Sequence, residues 1–129
     1  MFQFIRIKQV MPFIRGRLLD IGCGNNKLVK KYGNGMGINS YGLLPLYEFD
    51  TITFVASLNY ISEMDTDSYL DWCRDSLSED GSIIVTCRRI WKGLSKEYIV
   101  GLFKLYGFHL TFYRRFFPFN ALYIFRRTI

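Results

Sequence analysis

Two hydrophobic patterns alternate along this chain. In one, consecutive apolar residues, many of them β-branched, end at glycine or polar turn signals, which is typical of buried strands. In the other, apolar residues recur every three or four positions, which is typical of amphipathic helices. The first pattern predicts strands over residues 17–21, 36–39, 49–58, 82–87, 108–115 and 121–126. The second predicts helices over residues 26–32, 67–77 and 95–106, and a short one within 2–15 that ends or kinks at Pro12.

Capping and turn residues mark the ends of several of these elements. Gly33-Asn34-Gly35 is a strong signal for the end of the helix that begins near residue 26. Ser95 suits the N-cap of the last predicted helix, and Gly107 suits the position just beyond its last turn. Asp67 suits the cap of the preceding helix, and Glu79-Asp80-Gly81 predicts a turn before the next strand.

The order of the elements predicts the fold class. Strands alternate with helices in the early part of the chain, which indicates an α/β protein with a mostly parallel sheet and helices on both faces. Only residues 117–120 separate the last two strands, so we expect the final strand to run antiparallel to its neighbour. The chain has 129 residues and no Pro/Gly/Ser linker, so we expect a single domain over residues 1–129.

Composition narrows the function classes. Half the residues are hydrophobic, which argues against disorder, and no apolar run approaches the roughly 18 residues of a membrane span. The N-terminus lacks an uninterrupted apolar segment of the secretory type, and three scattered cysteines suit a reducing compartment, so we expect a cytoplasmic protein. One histidine and no CxxC pair argue against a structural zinc site or another metal site. The net charge of +6 allows an anionic partner without identifying one.

The segment Leu18 to Leu28, LLDIGCGNNKL, carries the most specific chemistry. A predicted strand ends there, two glycines follow two positions apart, and a predicted helix begins. Glycine allows a sharp turn and lets a ligand approach the bare backbone. The unpaired N–H groups of a helix start favour a carboxylate or a phosphate nearby.

Asp20-Ile21-Gly22-Cys23-Gly24 resembles the first motif of the class I, Rossmann-like, S-adenosylmethionine-dependent methyltransferases, in which an acidic residue stands two before the first glycine. Phe49-Asp50-Thr51-Ile52 followed by residues 56–61 resembles the fourth strand of that family and the stretch after it. Residues 77–82 resemble the turn before its fifth strand, and Tyr106-Gly107-Phe108 resembles the step into its sixth. The resemblance covers about residues 17 to 126 in the order of the family.

The resemblance implies a three-layer methyltransferase fold with strand order 3-2-1-4-5-7-6, in which strand 7 is antiparallel. It implies S-adenosylmethionine as the cofactor and methyl transfer to an acceptor as the activity. In the family pattern the first motif holds the methionine part of the cofactor, the end of strand 2 holds the ribose, and the end of strand 4 lines the sulfonium. The matching cofactor residues are Asp20, Gly22, Cys23, Gly24, Asn39, Ser40, Ala56, Ser57 and Leu58.

Residues at the carboxyl ends of the later strands are candidates for the acceptor side, since ligands bind at that edge of such sheets. We expect Asn59 and Tyr60 to be catalytic, with Tyr60 orienting or deprotonating the acceptor. We expect Arg88, Arg89 and Asn120 to bind substrate, the arginines by holding an anionic group. Alternatively, the arginines lie in a solvated loop and Tyr60 is a packing aromatic.

The chain departs from the family pattern in three places. Asn25-Asn26 replaces a third small residue, which asparagine tolerates because it adopts left-handed backbone readily. Asn39 stands where the family has a carboxylate, which should weaken ribose binding by about 1–2 kcal/mol. Residues 40–48 are too few for the usual helix and strand 3, so we expect that edge strand to be missing. The strand 2 edge is then exposed, and we expect a homodimer or a covering loop there.

Two alternatives to catalysis follow from the same residues. The departures at Asn39 and strand 3 allow a degenerate member of the family that acts as a binding or interaction module. Tyr113-Arg114-Arg115-Phe116-Phe117 interleaves basic and aromatic residues as single-strand nucleic-acid binders do. An ordinary strand that buries alternate aromatics gives the same pattern, and no RRM-type consensus is present. We therefore do not expect nucleic-acid binding, and the methyl acceptor stays unidentified at this point.

Overall fold

The computed structural model of this protein describes residues 3–39, 45, 47–58, 63–90 and 93–128, without the side chains of residues 63 and 64. These residues form six strands and four α-helices. The strands are β1 (Leu18–Ile21), β2 (Gly35–Ile38), β3 (Phe49–Val55), β4 (Leu77–Arg88), β5 (Phe108–Phe116) and β6 (Asn120–Arg127). The helices are α1 (Gln3–Val10), α2 (Lys27–Tyr32), α3 (Glu63–Ser76) and α4 (Lys96–Leu105), with a short 3₁₀ helix over Met11–Phe13 after α1.

The six strands form one sheet in the order β2-β1-β3-β4-β6-β5. Strands β1, β2, β3 and β4 run parallel to one another, and β6 runs antiparallel to both β4 and β5. This is the predicted methyltransferase strand order without strand 3, so the expected fold class is confirmed. In the described part of the chain no strand lies between β2 and β3, and β2 is therefore the outer strand at that end.

Helices cover both faces of the sheet, which gives two apolar cores. On one face, α3 and α4 pack on the sheet; Phe103 of α4 stacks on Phe125 of β6 with ring centroids 4.2 Å apart. On the other face, residues such as Val10 of α1 and Leu28 of α2 pack against Ile84 of β4. Each fully buried large side chain contributes about 1.5–3 kcal/mol relative to an exposed one, so the two layers hold the central strands in place.

Most predicted helix ends are confirmed. The Ser95 hydroxyl oxygen accepts a hydrogen bond from the Tyr98 backbone N–H at 3.1 Å, as an N-cap should. Gly33 and Gly107 follow α2 and α4 with φ angles of +88° and +89°, which only glycine adopts without strain. Pro12 lies in the 3₁₀ segment, where the α-helical hydrogen bonding of α1 has ended.

Three predicted boundaries are wrong. The strand predicted over residues 49–58 ends at Val55, because the backbone turns at Ala56 with a φ angle of +55°. Helix α3 begins at Glu63, so Asp67 lies inside it and is not its cap. The predicted turn at residues 79–81 is part of β4, which pairs with β3 from Leu77 onward and has an irregular register before Ser82. Long-range contacts override the local turn signal, because the Asp80 carbonyl accepts hydrogen bonds from two distant arginine side chains.

The three cysteines are free, and all of them are buried. Burial raises the pKa of the Cys87 thiol to about 11 and also raises that of Cys73. Both thiols are therefore neutral at pH 7 and behave as small apolar core groups. Among the described residues, no helix has the length and apolar character that crossing a membrane requires.

Candidate functional site

The sheet brings the predicted site residues to one edge. Parallel strands β1, β3 and β4 end there at Ile21, Val55 and Arg88. Antiparallel β6 begins at the same edge with Asn120, which pairs with Arg88. The glycine turn, residues 56–58 and the arginines after β4 are therefore neighbours along a single edge. The predicted site residues Ser40, Asn59 and Tyr60 lie outside the described residues.

The glycine turn connects β1 to α2 and is held by the end of β2. The backbone N–H groups of Gly22 and Cys23 both donate to the Ile38 carbonyl, at 2.7 and 3.3 Å. Gly22 and Gly24 have φ angles of +76° and +56°, so both use the left-handed backbone that favours glycine. A Cβ on Gly22 would lie 2.5 Å from the Ser57 Cβ, whereas a Cβ on Gly24 would meet nothing within 4 Å. Gly22 is thus required by packing, and Gly24 presents bare backbone to open space.

Asp20 places a carboxylate just below this turn. The side chain is only 4% exposed, and one carboxylate oxygen accepts a hydrogen bond from the Thr53 hydroxyl at 2.7 Å. Burial raises the Asp20 pKa to about 6, and the bond from Thr53 opposes this in part. Among the described residues, no lysine or arginine forms an ion pair with Asp20. At pH 7 the site therefore holds a buried negative charge that no described lysine or arginine pairs with.

Cys23 lies beside that carboxylate at the tip of the turn. Its thiol is 5% exposed, and burial, together with the charge of Asp20, raises its pKa. The thiol is therefore neutral at pH 7. Helix α2 has only six residues, so its N-terminus adds little positive potential to oppose Asp20.

Asn39 closes the turn from the end of β2. The Gly24 backbone N–H donates to the Asn39 side-chain oxygen at 2.9 Å, and the Asn39 amide donates back to the Gly24 carbonyl at 3.2 Å. A carboxylate at this position could accept the first bond but could not donate the second. The residue that departs from the family pattern is thus matched to the backbone of the turn in this chain.

Residues 56–58 support the turn from the end of β3. The Ser57 hydroxyl donates to the Ile21 carbonyl at 2.9 Å, and Ser57 and Leu58 are 7% and 5% exposed. Ala56 has a φ angle of +55°, and its N–H donates to both the carbonyl and the hydroxyl oxygen of Thr86. A non-glycine residue in this conformation is strained by about 1–2 kcal/mol. The two hydrogen bonds from the Ala56 N–H to Thr86 hold that strained backbone at the edge of the sheet.

The described acceptor-side candidates lie where β4 ends and β6 begins. Asn120 is fully buried, and its amide donates to the Pro118 carbonyl at 3.1 Å. Its side-chain oxygen has no hydrogen-bond partner among the described residues. Arg89 contacts the turn between β5 and β6. Its backbone N–H donates to the Phe119 carbonyl at 2.8 Å, and its Nε donates to the Asn120 carbonyl at 3.3 Å. Arg88 stands opposite Asn120 in the β4–β6 register.

Some site residues have no signal in the glycine motif itself. The Thr53 hydroxyl donates a hydrogen bond to Asp20. The sequence signal for this contact is a polar β-branched residue within a buried apolar strand. Gly37 lets the turn lie against β2, because a Cβ there would be 2.2 Å from the Asn26 side-chain oxygen and 2.6 Å from Cys23 Sγ. That Asn26 oxygen is buried and has no hydrogen-bond partner among the described residues. The second glycine of β2 was the signal for this close approach.

Comparison with known proteins identifies the fold. No family model matches the sequence, and a search of the curated proteins also finds no match. The Burkholderia thailandensis 1,6-didemethyltoxoflavin-N1-methyltransferase, solved with 1,6-didemethyltoxoflavin and S-adenosylhomocysteine bound, superposes with a TM-score of 0.80 at 11% identity. That match covers 97% of this chain and 77% of the other. A TehB-like methyltransferase from Corynebacterium glutamicum gives a TM-score of 0.72 at 11% identity, over 95% of this chain and 87% of the other.

The pyocyanin biosynthetic protein PhzM is a third match, with a TM-score of 0.78 and 14% identity over 98% of this chain. This chain spans only 55% of the length of PhzM. At such low identities the similarity establishes the fold. The chain therefore has the class I S-adenosylmethionine-dependent methyltransferase fold, as the glycine turn and the strand order indicate.

Proposed function

We propose that this chain, which has the class I methyltransferase fold, binds S-adenosylmethionine at the turn between β1 and α2 and transfers its methyl group to an acceptor. The observation that carries the proposal is the buried Asp20 carboxylate at the foot of an open glycine turn, which forms no ion pair within the described part of the chain. A buried charge without a partner destabilises a fold, so its presence suggests a cationic ligand. The ammonium group of the cofactor's methionine part is such a cation.

The local geometry fits the rest of that ligand. Gly24 has open space where a side chain would otherwise project, so a ligand can approach its backbone. Asn39 stands next to Gly24 with an amide that can turn to a ribose hydroxyl. The unpartnered Asn26 oxygen lies beneath the same turn. We assign Asp20, Gly22, Cys23, Gly24, Asn39, Ser40, Ala56, Ser57 and Leu58 to the cofactor site.

The chain's own residues then act mainly by positioning. When bound, the cofactor supplies a methyl group made electrophilic by its sulfonium, so the protein needs no strongly activated nucleophile of its own. Ser57 and Gly22 keep the turn in register with β3, and Asp20 anchors a positive charge. We assign the acceptor contact to Asn59 and Tyr60, which follow Leu58 in the sequence, with Tyr60 orienting or deprotonating the acceptor.

Titration calorimetry with S-adenosylmethionine and S-adenosylhomocysteine tests the cofactor site. Gly24→Asn is the informative variant, because asparagine tolerates a φ angle of +56° and its side chain would occupy the open space. Gly33→Asn is the matched control: Gly33 also has a positive φ and nothing within 4 Å of a Cβ, but it ends α2 away from the turn. Gly22→Val is unsuitable, because it would overlap Ser57 and disturb the fold.

We expect micromolar binding that Gly24→Asn abolishes and Gly33→Asn preserves. Equal loss in both variants would mean that the substitutions act on the fold and not on a ligand. No heat and no thermal shift with the wild-type chain at millimolar ligand would overturn the proposal. That result would favour the alternative in which the chain is a methyltransferase-like binding module. The Asn39–Gly24 pair would then serve only to close the turn.

Assembly and location are separate parts of the proposal. Gly35 and Met36 are exposed on β2, the outer strand of the sheet, and an exposed edge can pair with a second copy of the chain. Light scattering tests this homodimer directly, and a monomeric mass would remove it. The free, buried cysteines suit a reducing compartment, and on that basis we propose a cytoplasmic location.

A further inference from the structure

A groove of about 270 Å³ lies on the α4 face of the sheet, beyond the end of β4. Four elements contribute to it: Arg89 follows β4, Lys96 begins α4, Tyr113 and Arg115 lie on β5, and Tyr123 lies on β6. Tyr113 pairs with Tyr123 across the β5–β6 ladder, and Arg115 pairs with Ala121, which places these side chains on one face. The groove is thus built by tertiary contacts between segments that are distant in sequence.

The charge in this groove is unbalanced. Arg89, Lys96 and Arg115 supply three cations, whereas Glu97 is the one carboxylate among its lining residues. Within the described part of the chain none of the three cations forms an ion pair. Like charges held together without a counterion repel one another, so the arrangement favours an anion between them.

Aromatic rings form the floor of the groove. The Tyr113 and Tyr123 rings meet edge to face with centroids 5.1 Å apart, and the Lys96 ammonium lies 4.4 Å from the Tyr113 ring centroid. Burial raises the pKa of Tyr123, so its hydroxyl adds no negative charge. Tyr123 is only 1% exposed and supports the groove from below, so the half-buried Tyr113 supplies the aromatic surface that a ligand can contact.

The position of the groove in the sheet and its volume suit the binding of a small methyl acceptor. By strand spacing the groove begins about 10 Å from β1, at Arg89 after β4, and extends to about 20 Å from β1, at Arg115 on β5. The volume is just below the range of about 300–1,000 Å³ that drug-sized ligands occupy, so a single-ring molecule suits it better than a polymer. The planar guanidinium group of arginine can donate two parallel hydrogen bonds to a carboxylate or a phosphate group.

We propose that this groove binds the anionic group of a small aromatic methyl acceptor, a carboxylate or a phosphate on a single ring. The inference rests on the proposed methyltransferase function, for which it names the substrate class. Arg89 and Arg115 hold the anion, Lys96 adds charge at the start of α4, and Tyr113 contacts the ring.

Binding of 4-hydroxybenzoate and of its neutral isostere 4-hydroxybenzamide, followed by calorimetry or NMR, tests the groove. We expect the acid to bind at least about tenfold more tightly than the amide, because charge-assisted bonds hold only the acid. Phenyl phosphate in the same assay shows which of the two anionic groups the site prefers. Equal binding of acid and amide, or binding of none of the three, would overturn the inference.

Matched variants separate a built site from general positive charge. Arg115→Gln and Lys96→Gln remove groove cations, whereas Arg114→Gln and Lys104→Gln remove the same charges from the opposite face of β5 and the far end of α4. All four side chains are exposed, so the fold should tolerate each change. We expect a loss of at least about fivefold for the first pair and no loss for the second.

Other outcomes would point elsewhere. Equal weakening by Arg114→Gln and Arg115→Gln would mean general electrostatic attraction and would overturn the inference. So would tight binding of a single-stranded oligonucleotide without binding of the small anions, since it would indicate a polyanion partner.

The same proteins should be titrated with S-adenosylmethionine. If the cofactor binds and the aromatic anions do not, the groove inference alone fails. If the aromatic anions bind at the groove and the cofactor does not, the proposed methyltransferase function fails.

Discussion

Replacing Asp20 with asparagine should stabilise this protein while removing its ligand binding. The Asp20 carboxylate is buried, its pKa is raised from 3.8 to about 6, and no protein cation in the described residues neutralises it. Asparagine keeps an oxygen for the Thr53 hydroxyl, which now donates at 2.7 Å, and removes the buried charge. Sites that keep such a charge for function do so at a cost in stability.

The magnitude follows from the pKa. A rise from 3.8 to about 6 corresponds to about 3 kcal/mol, since each tenfold change in proton affinity is worth about 1.4 kcal/mol. The pKa in the folded state lies above that in the unfolded state, so the folded state binds more protons between these pH values. The penalty is therefore small at pH 4, grows as the pH rises through the folded-state pKa, and is nearly complete at pH 7. The buried NH₂ group of asparagine offsets part of the gain, which leaves about 1–2 kcal/mol at pH 7.

Urea unfolding followed by far-UV circular dichroism at several pH values between 4 and 8 checks this. The stability of Asp20→Asn minus that of the wild type should rise by about 2.5 kcal/mol from pH 4 to pH 7. Asp75→Asn is the control, because it removes the same charge from an exposed position in the last turn of α3. A stability difference that stays constant with pH would refute the reasoning that Asp20 is a buried, uncompensated carboxylate. Calorimetry should in parallel show loss of S-adenosylmethionine binding in Asp20→Asn.

Three further substitutions test the geometry of the turn. Asn39→Asp should lower the free energy of unfolding by about 1 kcal/mol, because the bond to the Gly24 carbonyl is lost, yet tighten S-adenosylmethionine binding about five- to tenfold through charge-assisted bonds. Urea unfolding and calorimetry measure the two effects. Gly37→Ala should cost about 2 kcal/mol or more of stability, because its Cβ would overlap the Asn26 side chain. Ala56→Gly should raise stability by about 0.5–1 kcal/mol, because it relieves a φ angle of +55°.

Each of these predictions has a control or a contrary outcome. Asn39→Ala separates the effect of losing the turn hydrogen bonds from that of adding a charge. Gly101→Ala is the control for Gly37→Ala, because a Cβ at that helical position would meet nothing within 4 Å and alanine should be tolerated or favoured. Ala121→Gly, in the fully buried middle of the sheet, should destabilise where Ala56→Gly stabilises. If both alanine-to-glycine changes destabilise equally, the strain assigned to Ala56 is absent.

Local chemistry allowed the sequence alone to predict the order of elements, the class of fold and the glycine turn. Buried strands and amphipathic helices have distinct periods, and the sharp turn at Gly22 and Gly24 needs backbone that glycine adopts most easily. The helix ends at Gly33 and Ser95 also follow from single residues. The sheet order came from the resemblance to a family and matches the order in the structure.

Tertiary structure decided what the turn can do. The environment of Asp20 depends on Thr53, a residue 33 positions away, and the space at Gly22 depends on Ser57, which follows β3. Contacts between distant segments also explain why residues 79–81 extend β4, since pairing with β3 outweighs a local preference for a turn. The charged groove joins four elements that only the folded sheet brings together. Sequence patterns report short-range preferences, whereas burial, pKa and the grouping of charges arise from which distant segments come to pack against one another.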